Sequence, residues 1–373
     1  MSQKHVWDGI ATLVGVIIGA GILGIPYVVQ QAGFWTGMLV IVTIGLAMLL
    51  INLMLGEVTL RTKGHHQLTG YTNVYLGTWG KHLMALSMIV GIYGALIAYT
   101  VGEGQALAQL FGGSAWLWSS AFFVVMAILM YAGLRTIEAS EFVLNIVKLG
   151  LFVLILGLLV SSRFFSLQNI AGFSWQHLLV PYGVVLFAFL GTSAIPEVRE
   201  ELRGHWKQLK KAIIIGSLIP LIVYVLFSFG VVATTAGGTT ELATVGLGLL
   251  GSWTLLVMNL FATLAMGTAF LGLGLALKEM YVYDYGWKPG FAWLITMAVP
   301  LAALAFGVQS FIGVIELTGA VTGGIAGVLI VLMHYRAQKN GQRKPEYTVH
   351  VPVLLGLLLA LMFIVGAVHA LLA

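Results

Sequence analysis

The sequence predicts an all-α integral membrane protein, on three observations. Of its 373 residues 60% are hydrophobic and only 8% charged, and a mean hydropathy of +1.00 is one that a soluble domain of this length does not sustain. Apolar runs recur at the length, roughly 20 residues, that carries a helix across a bilayer. The polar stretches between them hold almost all the cations. The absence of cysteine excludes disulfides, thiolate metal sites and cysteine nucleophiles. The nine histidines sit near span ends or in loops without the spacing of a metal cluster, so no metal or cofactor is implied.

The start, MSQKHVWDG, is polar and leads into the first apolar run with no small-residue cleavage site, so that run reads as a retained span and not a signal peptide. The length rule gives eleven spans, at about 8–30, 34–59, 82–111, 115–132, 138–162, 179–200, 207–233, 244–282, 288–304, 308–334 and 350–372. The run 288–304 is the weakest of these, and 244–282 is long enough to tilt or to project into the cytoplasm. GYTNVYLGTWGKHL, residues 70–83, is too polar to insert and too aromatic for a free linker, which places it along the cytoplasmic interface. RFFSLQNIAGFSWQHL, residues 163–178, does the same outside.

With the N-terminus in the cytoplasm, the loops near 61–81, 133–137, 199–211, 278–288 and 335–344 face the same side. Together with the N-terminus they hold sixteen of the eighteen Lys and Arg residues. Arg163 falls outside, and Lys148 lies in mid-span. This bias sets the orientation, puts the C-terminus outside the cell, and accounts for the net charge of +5 without a nucleic-acid partner.

Two helix-damaging segments stand out: GILGIP at 21–26 and, 170 positions later, GTSAIP at 191–196. One lies in an outward-running span and the other in an inward-running one. That pattern predicts two five-span halves, about 8–162 and 179–334, related by inverted topology within one transmembrane domain, with the helix at about 350–372 as an addition.

Glycine permits non-helical dihedrals and proline removes a donor, so the first span should unwind at Gly19 to Gly24 and restart with Pro26 in the first turn of a second half-helix. Backbone groups freed at mid-membrane must be buried in protein or line a cavity. The restart exposes the amides of Ala20, Gly21, Ile22 and Leu23 at a positive dipole end that suits a carboxylate. The sixth span ends its first half near Phe189, Leu190 and Gly191, leaving carbonyl oxygens that suit an ammonium. A free α-amino acid carries both groups. The alternative is a pair of structural kinks, since Gly and Pro are common in membrane helices.

GAGILGIPYVVQQAG (19–33), YGALIAYTVGEGQ (93–105), FAFLGTSAIPEV (187–198), KKAIIIGSLIPLIVYVLF (210–227) and FATLAMGTAFLGLGLAL (261–277) resemble the amino acid permeases of the amino acid/polyamine/organocation superfamily. The nearest branches are the aromatic (tryptophan/tyrosine) permeases and the amino acid/auxin permeases. The resemblance covers roughly residues 8–335 and implies a LeuT-type 5+5 inverted repeat working by alternating access. It places the carboxylate on Gly19, Ala20, Gly21 and Ile22, the amine on carbonyls near Phe189 to Gly191, and an aromatic gate at Phe187, with Phe189 as the competing choice. Side-chain selectivity then falls to Tyr93 and Ile97 of span 3, Thr192 and Ser193 of span 6, and span 8 near Thr263 and Met266. These walls favour a neutral amino acid, large or aromatic, with small neutral ones such as alanine or serine next.

Lys148, in EFVLNIVKLGLF, is too deep to snorkel to the inner interface. In the fold that the sequence resembles, sodium-coupled members use adjacent hydroxyls on span 8; here Thr268 supplies one, and Ala269 stands where the second would be. Other members carry a span 5 lysine whose ammonium fills the sodium position, and Lys148 is similar to it. The expectation is proton-coupled uptake with Lys148 as the coupling group, sodium symport or ion-independent exchange being the alternatives. Glu316 and Glu103 are the other acids near membrane depth, as vestibule, gate or proton-stop groups, although Glu103 reads more readily as an interfacial carboxylate in water. Glu197, Glu200 and Glu201 should cap and charge the start of the inner half-helix, and Glu57, Glu138 and Glu141 should pair with Arg61 or Arg135. A channel would need a repeated pore loop or rings of like charge, and an enzyme a catalytic motif inside a span. The sequence offers neither.

Overall fold

In lipid every backbone group must be satisfied inside the protein, and continuous apolar runs of about 20 residues do so as helices. The computed structural model describes the backbone of residues 2–132, 136–283 and 285–372, and among these there is no strand. Helices α1 (Ser2–Ile17) and α2 (Gly21–Ala32) are followed by α3 (Phe34–Arg61), α4 (Leu68–Phe111), α5 (Ala115–Ala132) and α6 (Thr136–Val160). Then come two short pieces, α7 (Tyr182–Ala188) and α8 (Ile195–Glu201), and the long α9 (Leu209–Thr235). Beyond it lie α10 (Ala243–Gly246), α11 (Ser252–Tyr283), α12 (Pro289–Ala305), α13 (Phe311–Thr318), α14 (Gly324–Asn340) and α15 (Val353–Leu372). Among the described residues, eight helical stretches are long and apolar enough to cross a membrane, and the α1–α2 pair, bent by 54°, makes a ninth. The molecule is an all-helical integral membrane protein.

The interrupted helices occupy the middle. α1 packs on α9, α8 and α6, while α2 and α7 pack on each other and on α3. α4 runs against α5, α11, α13 and α14. On the perimeter, Val124, Val125 and Ile128 of α5, Val153 of α6, and Leu354, Leu357 and Leu361 of α15 are exposed, the outward apolar face that hydrocarbon covers.

Three boundaries differ from the sequence expectation, each for a local backbone reason. The run 244–282 is divided by Gly251 at φ +107°, so only Ser252–Tyr283 forms the long helix. The polar stretch 70–83 is not one interfacial segment. Gly77, at φ +76° and ψ −167°, ends a first helical piece, in which Tyr71, Tyr75 and Leu76 are buried, and the residues after it already belong to the span. The run 308–334 contains a π-helical turn at Gly319–Gly323 between α13 and α14. A β-carbon at Gly319 would sit 2.6 Å from Phe187 Cβ, so α7 presses closely on the widened turn.

One end of the bundle collects the basic loops. Arg199 of α8 is 3% exposed and donates to the carbonyls of Gly64 (2.9 Å) and Thr62 (3.4 Å) in the α3–α4 connection. Trp206 is held between Arg199 and Arg343, whose guanidinium carbons lie 5.0 and 4.5 Å from its ring centroid. The strap between α14 and α15 returns along the same end: the Gln342 and Arg343 amides both donate to Arg61 O, and Tyr347 donates to Leu53 O at 2.8 Å. Glu57, fully buried, accepts from Arg61 Nε at 2.7 Å and from the Val349 amide at 2.6 Å. The Glu57–Arg61 pairing is therefore present, whereas Arg135 and the side chains of Glu138 and Glu141 lie outside the described residues. Glu200 and Glu201 do not cap α8. They stand at its far end, where Glu200 accepts from Arg199 at 3.0 Å and Glu201 accepts from Thr12 of α1 at 2.7 Å. Glu197 does fall in the first turn of α8.

Candidate functional site

The first interruption is shorter than glycine content alone suggests. α1 ends at Ile17, the Gly19 amide turns back to Ile17 O at 2.9 Å, and α2 begins at Gly21. Pro26 is therefore inside α2 and not in its first turn; lacking an N–H, it leaves Ile22 O without its helical donor. The Leu23 amide is also spoken for, donating to Ala20 O at 3.0 Å. Among the described residues, the amides of Ala20, Gly21 and Ile22 have no backbone acceptor. All three residues are buried, so these donors form a compact positive end inside the protein.

The second interruption follows the sequence more closely. α7 ends at Ala188, one 3-10 turn covers Thr192–Ala194, and α8 restarts with Pro196 at its second position. The Leu190 amide donates to Phe187 O and the Ala194 amide to Gly191 O, both at 3.1 Å. Gly191 O is thus engaged, while the carbonyls of Phe189 and Leu190 have no backbone donor among the described residues.

The two interruptions meet. A β-carbon at Gly21 would lie 2.7 Å from both Cα and Cβ of Ala188, and one at Gly191 would lie 2.8 Å from Ile17 Cδ1. Tyr224 of α9 lies across the junction, its hydroxyl 2.6 Å from Ile17 O and 2.9 Å from Ala188 O. On the other side Tyr99 of α4 is 5% exposed, and its hydroxyl would lie 3.6 Å from a Gly19 β-carbon; Ala269 Cβ would lie 3.9 Å from it. Sequence reasoning missed both tyrosines. Their signal was present in principle, because a lone phenol within an apolar run must find a hydrogen-bond partner in the interior.

Other expected residues point elsewhere. Tyr93 bonds to the Tyr281 hydroxyl at 3.0 Å and donates to Ile295 O at 3.1 Å, facing α11 and α12. Ile97, two residues from Tyr99, is turned about 160° from it around the same helix. Phe189 wedges beside the Tyr224 ring, with centroids 4.9 Å apart, and its Cζ would lie 3.0 Å from a β-carbon at Gly45 of α3. Phe187 packs on Gly319 of the π-helical turn, and Leu190 on Gly323 at its end. Thr192 is 6% exposed, while Ser193 is exposed.

The charged candidates divide similarly. Lys148 is 5% exposed and is held in an interaction within the fold. Asn145, one turn earlier on α6, donates to Ala11 O at 3.2 Å and abuts Gly15, so α6 packs on α1 just below Lys148. Thr268 turns its hydroxyl back to Leu264 O at 2.7 Å within its own helix. Glu316 is half-buried, with its Cγ 2.8 Å from a β-carbon at Gly183 of α7. Glu103 is not in interfacial water: it is fully buried, and the Thr263 hydroxyl donates to its Oε1. The reason is register, for α4 continues to Phe111 and keeps Glu103 two turns below its end.

Two open clefts lie away from the junction. One of about 340 Å³ is lined by Gln105, Ala115, Thr240, Glu241, Leu242 and Val245, and one of about 180 Å³ by Leu275, Lys278, Glu279, Val282 and Pro289. At the interruptions themselves Gly21 packs directly against Ala188.

A helical membrane bundle whose two central helices break against one another, with free amides on one side and free carbonyls on the other, has the build of a transporter and not of an enzyme. Residues 2–371 match the tryptophan/tyrosine permease family, and the chain belongs to it. It is 26% identical over 360 residues to the tyrosine-specific transport system 1 of Haemophilus influenzae, covering 89% of this chain and 88% of that one. It is 22% identical over 356 residues to glutamine transporter 2 of Aliivibrio fischeri, covering 91% of each. To the tryptophan-specific transport protein of Shigella flexneri it is 21% identical over 369 residues, with 91% and 88% covered. The protein is a multi-pass amino acid transporter.

Proposed function

We propose that the protein is a secondary active carrier that takes up a neutral amino acid, large or aromatic, across the plasma membrane by alternating access. The observation that carries this reading is the junction of Gly21 with Ala188, where two half-helix ends of opposite polarity meet inside the bundle. The free amides of Ala20, Gly21 and Ile22, with the Tyr99 hydroxyl beside them, take the carboxylate; the carbonyls of Phe189 and Leu190 take the ammonium. The named substrates of the relatives, tyrosine, tryptophan and glutamine, are all neutral, which supports a neutral class over a charged one. Small neutral amino acids such as alanine and serine are the alternative.

Counting the interrupted α7–α8 run and the short α12 as spans gives eleven, arranged as a LeuT-type pair of inverted repeats at about 8–162 and 179–334, with α15 added. The basic end of the bundle is cytoplasmic and the C-terminus lies outside. Coupling is to protons through Lys148, whose burial on α6, a helix packed against α1, supports that role. Thr268, with its hydroxyl bonded to its own helix and Ala269 next to it, supports sodium symport less well. Glu316, packed on α7, is proposed as a group of the outer vestibule.

The test is uptake into proteoliposomes of labelled tyrosine, tryptophan, glutamine, alanine and serine under an imposed pH gradient. Purified protein that binds none of them ends the proposal. Lys148→Ala is expected to abolish gradient-driven accumulation, and replacing sodium by choline is expected to leave it unchanged.

A further inference from the structure

Glu103 has no task in the backbone site just described, yet it is one of the most buried charged residues of the protein, at 0% exposure. Its Oε1 accepts from Thr263 of α11. Its Oε2 has no hydrogen-bond partner among the described residues. Buried polar atoms are almost always paired, and an unpaired carboxyl oxygen is costly to hide, so a lone oxygen of this kind points to a donor that arrives from outside the fold.

Its position says what that donor belongs to. Glu103 lies one turn beyond Tyr99 on α4, about 6 Å along the axis and about 40° round it. Tyr99 marks the level of Gly19 and the free amides. An amino acid whose carboxylate sits on those amides would therefore carry the end of a long side chain to the level of Glu103. The walls between the two levels are apolar: the Phe311 ring would lie 3.3 Å from a β-carbon at Gly24 and 2.9 Å from one at Gly102, and Met266 Sδ 3.1 Å from the latter. Both glycines make room for that ring, and the buried Phe311 and Met266 offer flat and soft surfaces to an aromatic or linear side chain.

Resting on the backbone site proposed above, we infer that Glu103 Oε2 is the acceptor for a hydrogen-bond donor at the tip of the substrate side chain. The class carried is then neutral amino acids ending in a phenol O–H, an indole N–H or a carboxamide NH2. Tyrosine, tryptophan and glutamine differ in shape and share this donor. With Oε1 already accepting from Thr263, Oε2 acts as this acceptor in the ionised carboxylate, since a proton on Oε2 would turn it into a donor. Glu103 is a specificity residue in this scheme, and Thr263 positions it.

The experiment is a binding series on the purified full chain, pairing each candidate with an analogue of similar shape that lacks the donor: tyrosine with phenylalanine, tryptophan with 3-(1-naphthyl)alanine, glutamine with methionine. In the wild type, the donor-bearing member of the carried pair is expected to bind at least about tenfold more tightly. In Glu103→Leu that ratio is expected to fall to within about twofold of unity. A ratio that survives in the variant, or a wild type that treats every pair alike, overturns the inference. Should Glu103→Leu not fold, the wild-type series decides alone. A wild type that binds only small amino acids sinks this inference and leaves the backbone site standing, whereas one that binds no amino acid sinks the backbone site itself.

Discussion

The Tyr224 hydroxyl lies 2.6 Å from the carbonyl oxygen of Ile17, the last residue of α1. It also lies 2.9 Å from Ala188 O, the last residue of α7, so one side chain from α9 serves the ends of both half-helices. Buried helix ends need such partners, and phenylalanine offers none. Tyr224→Phe is expected to destabilise the protein by about 1–3 kcal/mol, the usual cost of a buried acceptor left without a donor, and to slow uptake. Thermal unfolding in detergent, followed by intrinsic fluorescence, checks the first; an unchanged melting temperature would show that Tyr224 does not join the two breaks.

Gly21 tolerates no side chain where it meets Ala188, since a β-carbon would approach that backbone to 2.7 Å. Gly21→Val is expected to abolish uptake while the protein still reaches the membrane. Gly157→Ala is the control: nothing lies within 4 Å of its β-carbon position, and alanine is the better helix former by about 1 kcal/mol. Equal transport by the two variants would contradict the junction.

Trp206, between Arg199 and Arg343, ties α8 to the α14–α15 strap. Removing the ring should loosen the inner half-helix from the basic end. The native chain has no cysteine, so a Thr192→Cys reporter, at a site 6% exposed in the wild type, reads that opening directly. With Trp206→Ala added, labelling by an impermeant maleimide applied to the basic face is expected to speed up several-fold. An unchanged rate would mean that the stack is packing without a gating role.

Glu57 is buried against Arg61 and the Val349 amide. Glu57→Ala leaves both donors without their acceptor and is expected to cost about 3–5 kcal/mol, as for a broken buried pair. The measurement is the melting temperature in detergent, which should fall well below that of Tyr224→Phe.

Orientation can be read with the same cysteine-free background. Lys339 is exposed at the basic end and Ser114 is exposed between α4 and α5. Ser114→Cys is expected to react with impermeant maleimide on intact cells, and Lys339→Cys only after permeabilisation. The reverse pattern would invert the proposed topology.

Much of this architecture was legible in composition. Hydropathy located the helices, because a continuous apolar run of about 20 residues satisfies its backbone in lipid as a helix, and Gly and Pro located both interruptions, because glycine tolerates and proline forces a lost helical bond. Sequence could not give the length of the first break. That was decided by Gly19 turning onto Ile17 and by Pro26 being accommodated within α2. Nor could it say which polar residues face the junction. Tyr93 and Tyr99 are equally plausible in a linear reading, and only the rotation of α4 against its neighbours sends one to Tyr281 and the other to Gly19.

The sequence by itself therefore determined that the chain is a helical membrane protein with two weakened helices, since those properties follow from local chemistry and from the solvent around it. Tertiary structure decided what the weak points touch, which hydroxyl joins them, and that Glu103 is buried and not wet. Those outcomes depend on the register between helices distant in the chain, and register is set by side-chain packing that no local pattern encodes.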